Sequence, residues 1–190
     1  ALAAKHSGAL ELLSSAGKLV KTVALPAPAR QVVVGSDGTT FYVLTGTATT
    51  ASVTIVGSRG GRILGSVPMP SDAVSVVPDI PQTTLYVLER NGLVDQINIT
   101  GNKVVAKFRV GGRGDTGQSI ALSPDGNTLY VLKSDGATTN IADVNPNTEA
   151  VRKVMPAPGD CVQVLVSPSG GQLYEVVGTA TYGNIQVYAA

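Results

Sequence analysis

Short apolar runs of Val, Leu, Ile and Tyr alternate with Gly-, Pro-, Asp- and Ser-rich breaks along the whole chain. Residues 103–110, 119–122, 128–132 and 141–144 are one such series, and each predicts a strand of β-branched and aromatic residues. Between the second and third lies Ser123-Pro124-Asp125-Gly126-Asn127. It is a turn, because Pro presets φ, Asp bonds its own backbone and Gly accepts positive φ. No window carries apolar residues at i, i+3 and i+4 over a helical length. Residues 9–20 come closest, but Gly17 predicts strand, turn and strand there.

The pattern repeats. Tyr42, Tyr86, Tyr130 and Tyr174 stand 44 residues apart in Thr-Phe-Tyr-Val-Leu, Thr-Leu-Tyr-Val-Leu (twice) and Gln-Leu-Tyr-Glu-Val. The same spacing joins Gly17 to Gly61, Pro26 to Pro70, Pro124 to Pro168, and Ile97 to Ile141 and Ile185. Four short strands in a repeat of this length predict a β-propeller blade. Named A to D from the axis outwards, the strands number four A, four B, five C and four D.

The run from Ile120 to Leu132, Ile-Ala-Leu-Ser-Pro-Asp-Gly-Asn-Thr-Leu-Tyr-Val-Leu, resembles the bacterial YVTN β-propeller repeat, a group that includes surface-layer-type and lactonase-like propellers. The resemblance covers residues 8–188. It departs from the family at Thr45, Glu89, Lys133 and Val177, where an Asn is common. It departs again at Val77-Pro78-Asp79-Ile80-Pro81, which replaces Ser-Pro-Asp-Gly. The expected fold is all-β, a propeller of four 44-residue four-stranded repeats within a larger ring of about seven blades, with a small four-bladed ring with a frayed end as the alternative. Residues 1–7 form an N-terminal extension and 8–190 the repeats, divided near 8–47, 48–91, 92–135, 136–179 and 180–190. The surplus C strand points to a partner, either another protein or the remainder of a longer propeller chain.

Charge narrows the function. Lys and Arg total 14 against 13 Asp and Glu, without the basic excess that nucleic acid requires. No run approaches the roughly 20 apolar residues of a membrane helix, so no membrane insertion is expected. A mean hydropathy of +0.21 favours collapse over disorder. The first residues lack a basic stretch followed by an apolar one, so no signal peptide is expected. Scarce Cys, Trp and His with abundant Thr, Val and Gly suits a secreted, periplasmic or cell-surface protein.

Candidate chemistry is sparse. His6 is the only histidine, which excludes a His-rich metal site or a His-centred triad. Cys161, the only cysteine, follows Asp160 and reads as a small apolar core thiol. Glu175 takes the position that is Val at 43, 87 and 131. The polar caps usual on terminal repeats predict a solvated face there. The D-to-A links converge on one face and carry Arg30, Asp72, Arg113, Asp115 and Asp160, the expected ligand- or partner-binding surface. Arg113-Gly114-Asp115 also matches an integrin-recognition tripeptide, a short and unspecific signal. Gly57-Ser58-Arg59-Gly60-Gly61 lacks a phosphate-loop ending and reads as a C-to-D hairpin turn. The expected function is a non-catalytic scaffold for binding protein or ligand, with no catalytic residue, cofactor or metal assigned. The alternatives are a lactonase-like hydrolase using axial carboxylates, with or without a divalent metal, and a purely structural spacer or sensor domain of a larger cell-surface protein.

Overall fold

The computed structural model describes residues 2–3, 8–159, 161–178 and 183–189, and within them every regular element is a strand. A leading sheet holds β1 (Leu2–Ala3), β2 (Ala9–Leu13) and β3 (Leu19–Ala24). Blade 1 follows with β4 (Ala29–Val34), β5 (Thr40–Gly46), β6 (Ala51–Gly57) and β7 (Ile63–Met69). Blade 2 is β8 (Ala73–Pro78), β9 (Thr84–Glu89), β10 (Leu93–Asn98) and β11 (Lys103–Arg109). Blade 3 is β12 (Thr116–Leu122), β13 (Leu129–Ser134), β14 (Thr139–Val144) and β15 (Val151–Ala157). Blade 4 has β16 (Cys161–Val166), β17 (Gln172–Gly178) and β18 (Gly183–Ala189). All pairing is antiparallel between sequence neighbours, which makes the chain a four-bladed β-propeller arrangement with β4, β8, β12 and β16 innermost. Leu2–Ala3, in the stretch read as an extension, pairs with β2.

Each sheet is apolar on both faces, so it is buried by stacking. Val43 packs against Leu10, Leu12 and Val23 of the leading sheet; Val87 packs against Leu44 and Val53; Val131 packs against Leu88 and Val94. Tyr42, Tyr86 and Tyr130 point the other way, into the cluster shared with the following blade. One repeated motif thus supplies both halves of the interfaces between blades 1 and 2 and between blades 2 and 3, as expected of a stacked repeat.

A hydrogen bond recurs with the stacking. Gln31 Oε1 accepts the Val76 N–H at 2.7 Å, Ser75 Oγ accepts that of Ile120 at 3.3 Å, and Ser119 Oγ accepts that of Val164 at 3.3 Å. The acceptors are 44 residues apart, and each latches the inner strand of the next blade. Ser119→Ala strands a buried N–H, which costs about 1–2 kcal/mol. Urea unfolding together with faster amide exchange confined to Val164 would show it.

The 44-residue beat conceals two offsetting length changes. Leu44 pairs with Val53 and Leu132 with Ile141, but Leu88 pairs with Val94, so the B-to-C hairpin of blade 2 is three residues shorter. The link from blade 2 to blade 3 is lengthened to residues 110–115, against 70–72 and 158–160 elsewhere. Ile97 consequently pairs with Leu85 and is not the structural counterpart of Ile141 and Ile185, despite its spacing.

The A-to-B turns place positive φ at Gly38, Gln82, Gly126 and Gly170. Gln82 is the exception to glycine, and its Oε1 accepts the Tyr42 hydroxyl at 3.2 Å.

Candidate functional site

Each inner strand slips register at one residue, between Ala29 and Gln31, Ala73 and Ser75, Gly117 and Ser119, and Cys161 and Gln163. The bulged residues are Arg30, Val74, Gln118 and Val162. A bulge bends its strand and re-aims its side chain. All four residues line one open cavity of about 760 Å³ where the inner strands converge. Gly117 allows the close approach, since a Cβ there would lie 2.5 Å from the Glu89 carbonyl oxygen.

Arg30 braces the cavity wall. Its Nη1 donates to the carbonyls of Ser71 at 3.0 Å and Ala73 at 2.9 Å, and its Nη2 to that of Thr47 at 2.5 Å. Gln118 Oε1 is enclosed and accepts nothing. Asp72 and Arg90 stand on the rim.

A second cleft of about 570 Å³ shares Asp72 and Arg90 with the first and continues to Arg109, Arg113 and Asp115. It is built on the lengthened link. Arg109 Nη1 donates to the Asn91 carbonyl at 2.5 Å. Asp115 is spoken for, because Lys133 Nζ lies 2.6 Å from its Oδ2 and the Gly112 N–H is bound at 3.1 Å. The Lys133 hydrogen bond leads the effects that hold the Asp115 carboxyl below the usual range, and burial opposes it. Arg30, Arg90, Arg109 and Arg113 therefore face a groove whose acids, among the described residues, are Asp72 and an Asp115 already paired with Lys133.

The structure thus brings Arg30 and Asp72 together in the axial cavity, and Asp72, Arg113 and Asp115 in the adjoining cleft. Asp160 and His6 lie outside the described residues. Asp115, the last residue of the Arg113-Gly114-Asp115 tripeptide, is held by Lys133. Sequence reasoning named Arg30 but missed Val74, Gln118 and Val162, although steps of 44 from Arg30 reach them all. It also missed Arg90 and Arg109, whose position depends on the shortened hairpin and long link of blade 2.

Two buried acidic groups stand away from the groove. Glu89 is 2% exposed and Asp95 0%, with Lys107 Nζ 2.5 Å from Glu89 Oε1 and 2.9 Å from Asp95 Oδ1. Both Asp95 oxygens are enclosed, and Lys107, shared with Glu89, is the cation beside them. Burial pushes the Asp95 carboxyl up, reinforced by the neighbouring Glu89. Burial would raise Glu89 as well, but hydrogen bonds from Lys107 and Asn91 bring it below its ordinary value.

Glu175 corrects the expectation of a solvated face. It is 2% exposed, lies on the face turned to blade 3, and leaves Oε2 unpaired. Burial raises its carboxyl, and Tyr188 partly relieves it by hydrogen bonding. Cys161 is buried beside it and lines the axial cavity, with burial pushing its thiol up to about 11. Among the described residues no three His, Cys, Asp or Glu side chains are grouped to hold a metal ion.

Fold and groove define a β-propeller with an arginine-rich cleft on its D-to-A face. No protein-family model and no curated protein sequence matches the chain. Among solved structures it is similar to the hydrazine synthase of Kuenenia stuttgartiensis, with a TM-score of 0.71 and 19% identity over 85% of this chain and 46% of that one. It is also similar to a functionally unknown protein from Desulfotomaculum acetoxidans DSM 771, with a TM-score of 0.80 and 16% identity over 98% of this chain and 60% of that one. The chain therefore spans less than two thirds of either neighbour, and at these identities the likeness speaks to fold alone.

Proposed function

We propose that the chain is a binding scaffold of the YVTN propeller type, acting outside the cytoplasm, whose D-to-A face receives an acidic segment of a protein partner. The observation that carries this reading is the groove itself. Four arginines, from the inner strand β4, the β9–β10 hairpin and the end of β11 with its following link, line two adjoining cavities, with Asp72 as the one acid among the described residues there not already paired to a lysine. Arginine suits this role because its planar fork binds carboxylates in two-point fashion. An elongated groove suits a chain segment.

A fluorescein-labelled Glu-rich peptide and a Lys-rich peptide of equal length serve as probes in fluorescence anisotropy. The Glu-rich peptide binds more tightly, and less so as salt rises. Arg90→Ala with Arg113→Ala weakens it about tenfold or more, the scale expected for charge-assisted hydrogen bonds. Equal binding of the two peptides, or indifference to the double substitution, would overturn the reading.

A further inference from the structure

The far face of blade 4 carries the features that every earlier blade uses to hold its successor, yet no described sheet lies on it. We infer that this face is a docking surface for one further blade of the same repeat, delivered by chain continuing from β18.

Three correspondences carry the inference. The first is the latch. Gln31, Ser75 and Ser119 each accept an N–H from the next inner strand, and the fourth position in that series is Gln163. Gln163 pairs with Val176 as Ser119 pairs with Leu132 and Ser75 with Leu88, so it lies on the same face.

The second is the apolar surface. Val53, Val94 and Ile141 sit opposite Leu44, Leu88 and Leu132 and are fully buried by the following blade. Ile185 sits opposite Val176 in the same place and is 64% exposed. Leu165 stands where Val33, Val77 and Ala121 pack into the three interior clusters, and it too is exposed. Tyr174, the counterpart of three buried tyrosines, is only half-buried.

The third is the open edge. β6, β10 and β14 each pair with an outer strand that then leads into the next inner strand. β18 has no such partner among the described residues. The same stretch of chain, an outer strand followed by A, B and C strands, would complete this edge and cover this face. A second copy of the chain offers no equivalent surface, since its leading sheet has no inner strand among the described residues to reach Gln163.

The test joins a copy of residues 147–188 to the chain after Ala190, where Ala189 and Ala190 stand in the positions of Asn145 and Pro146. In the extended chain amide exchange across the original β18 slows, and Gln163→Ala lowers the urea midpoint, though it leaves the original chain unchanged. Unaltered exchange across the original β18 on extension would overturn the inference. The original chain gives a second check that does not depend on the extension folding. Ile185→Lys there shifts stability by no more than about 0.5 kcal/mol, as at any exposed site, whereas Ile141→Lys unfolds it. Strong destabilisation by Ile185→Lys, or a dimer of the original chain that this substitution dissociates, would also overturn it, because the face would then already be covered or would belong to a second copy.

Discussion

Lys107→Met destabilises the protein by about 3 kcal/mol at pH 7, because it strands two enclosed carboxyls without their cation. Lys107 is itself 39% exposed, so water moderates the loss and the lower end of the range for a broken buried pair applies. The pH dependence is the sharper signature. In the parent, the depressed Glu89 contributes stability that is present above its ordinary value and disappears as pH falls through the lowered one. The raised Asp95 works oppositely, favouring the fold at low pH and ceasing to do so as pH rises through its raised value. The two share one lysine and titrate as a unit. Without Lys107 both carboxyls are pushed up, so acidification neutralises the buried charge and restores stability. Urea unfolding at pH 7 and pH 4 should show a gap between variant and parent that narrows on acidification. An equal gap at both values would contradict this account of the triad.

Glu175→Val stabilises the protein by about 1–2 kcal/mol at pH 7, unusually for a substitution in a buried place. Val occupies this position in the other three repeats, and an enclosed carboxylate with an unpaired oxygen is a cost that Val removes. The sign follows from the raised carboxyl. Its contribution is fully present below its ordinary value and is lost as pH rises through the raised one. The benefit of Val is therefore greatest at neutral pH and shrinks towards pH 4, where Glu175 is protonated. Glu175→Gln, which copies the protonated form, should recover part of the gain. Thermal or urea midpoints across this range decide the matter, and a destabilised Glu175→Val variant would sink the argument.

These sites show what the sequence could and could not disclose. The architecture was legible because each blade buries its sheet with the same side chains at the same interval, so Tyr42, Tyr86 and Tyr130 repeat as the interfaces do. Register inside blade 2 was not legible. A hairpin shortened by three residues and a link lengthened by as many leave the tyrosine spacing intact, and Ile97 keeps the beat while changing its partner. Lys107 meets Glu89 and Asp95 only in that shifted register, so spacing gave no hint of the triad. Glu175 was correctly oriented by strand alternation but assigned to water, because the face that carries it packs on the preceding blade and not on an absent following one. In the groove, Asp72, Arg113 and Asp115 stand in the links where the sequence placed them, whereas Arg30, read as a link residue, lies inside the inner strand β4. The bulge that turns Arg30, Val74, Gln118 and Val162 to the axis is a backbone event with no residue signature of its own.

The central claim is that identical units stack through their inner strands, each held by a side chain of the unit before it. Amide hydrogen exchange at Val76, Ile120 and Val164 tests it most directly. The three N–H groups point away from their own sheets, so protection comparable to the core ladders, lost at Val164 alone in Ser119→Ala, is the predicted result. Exchange at all three as fast as in the exposed turn residues would contradict the stacking.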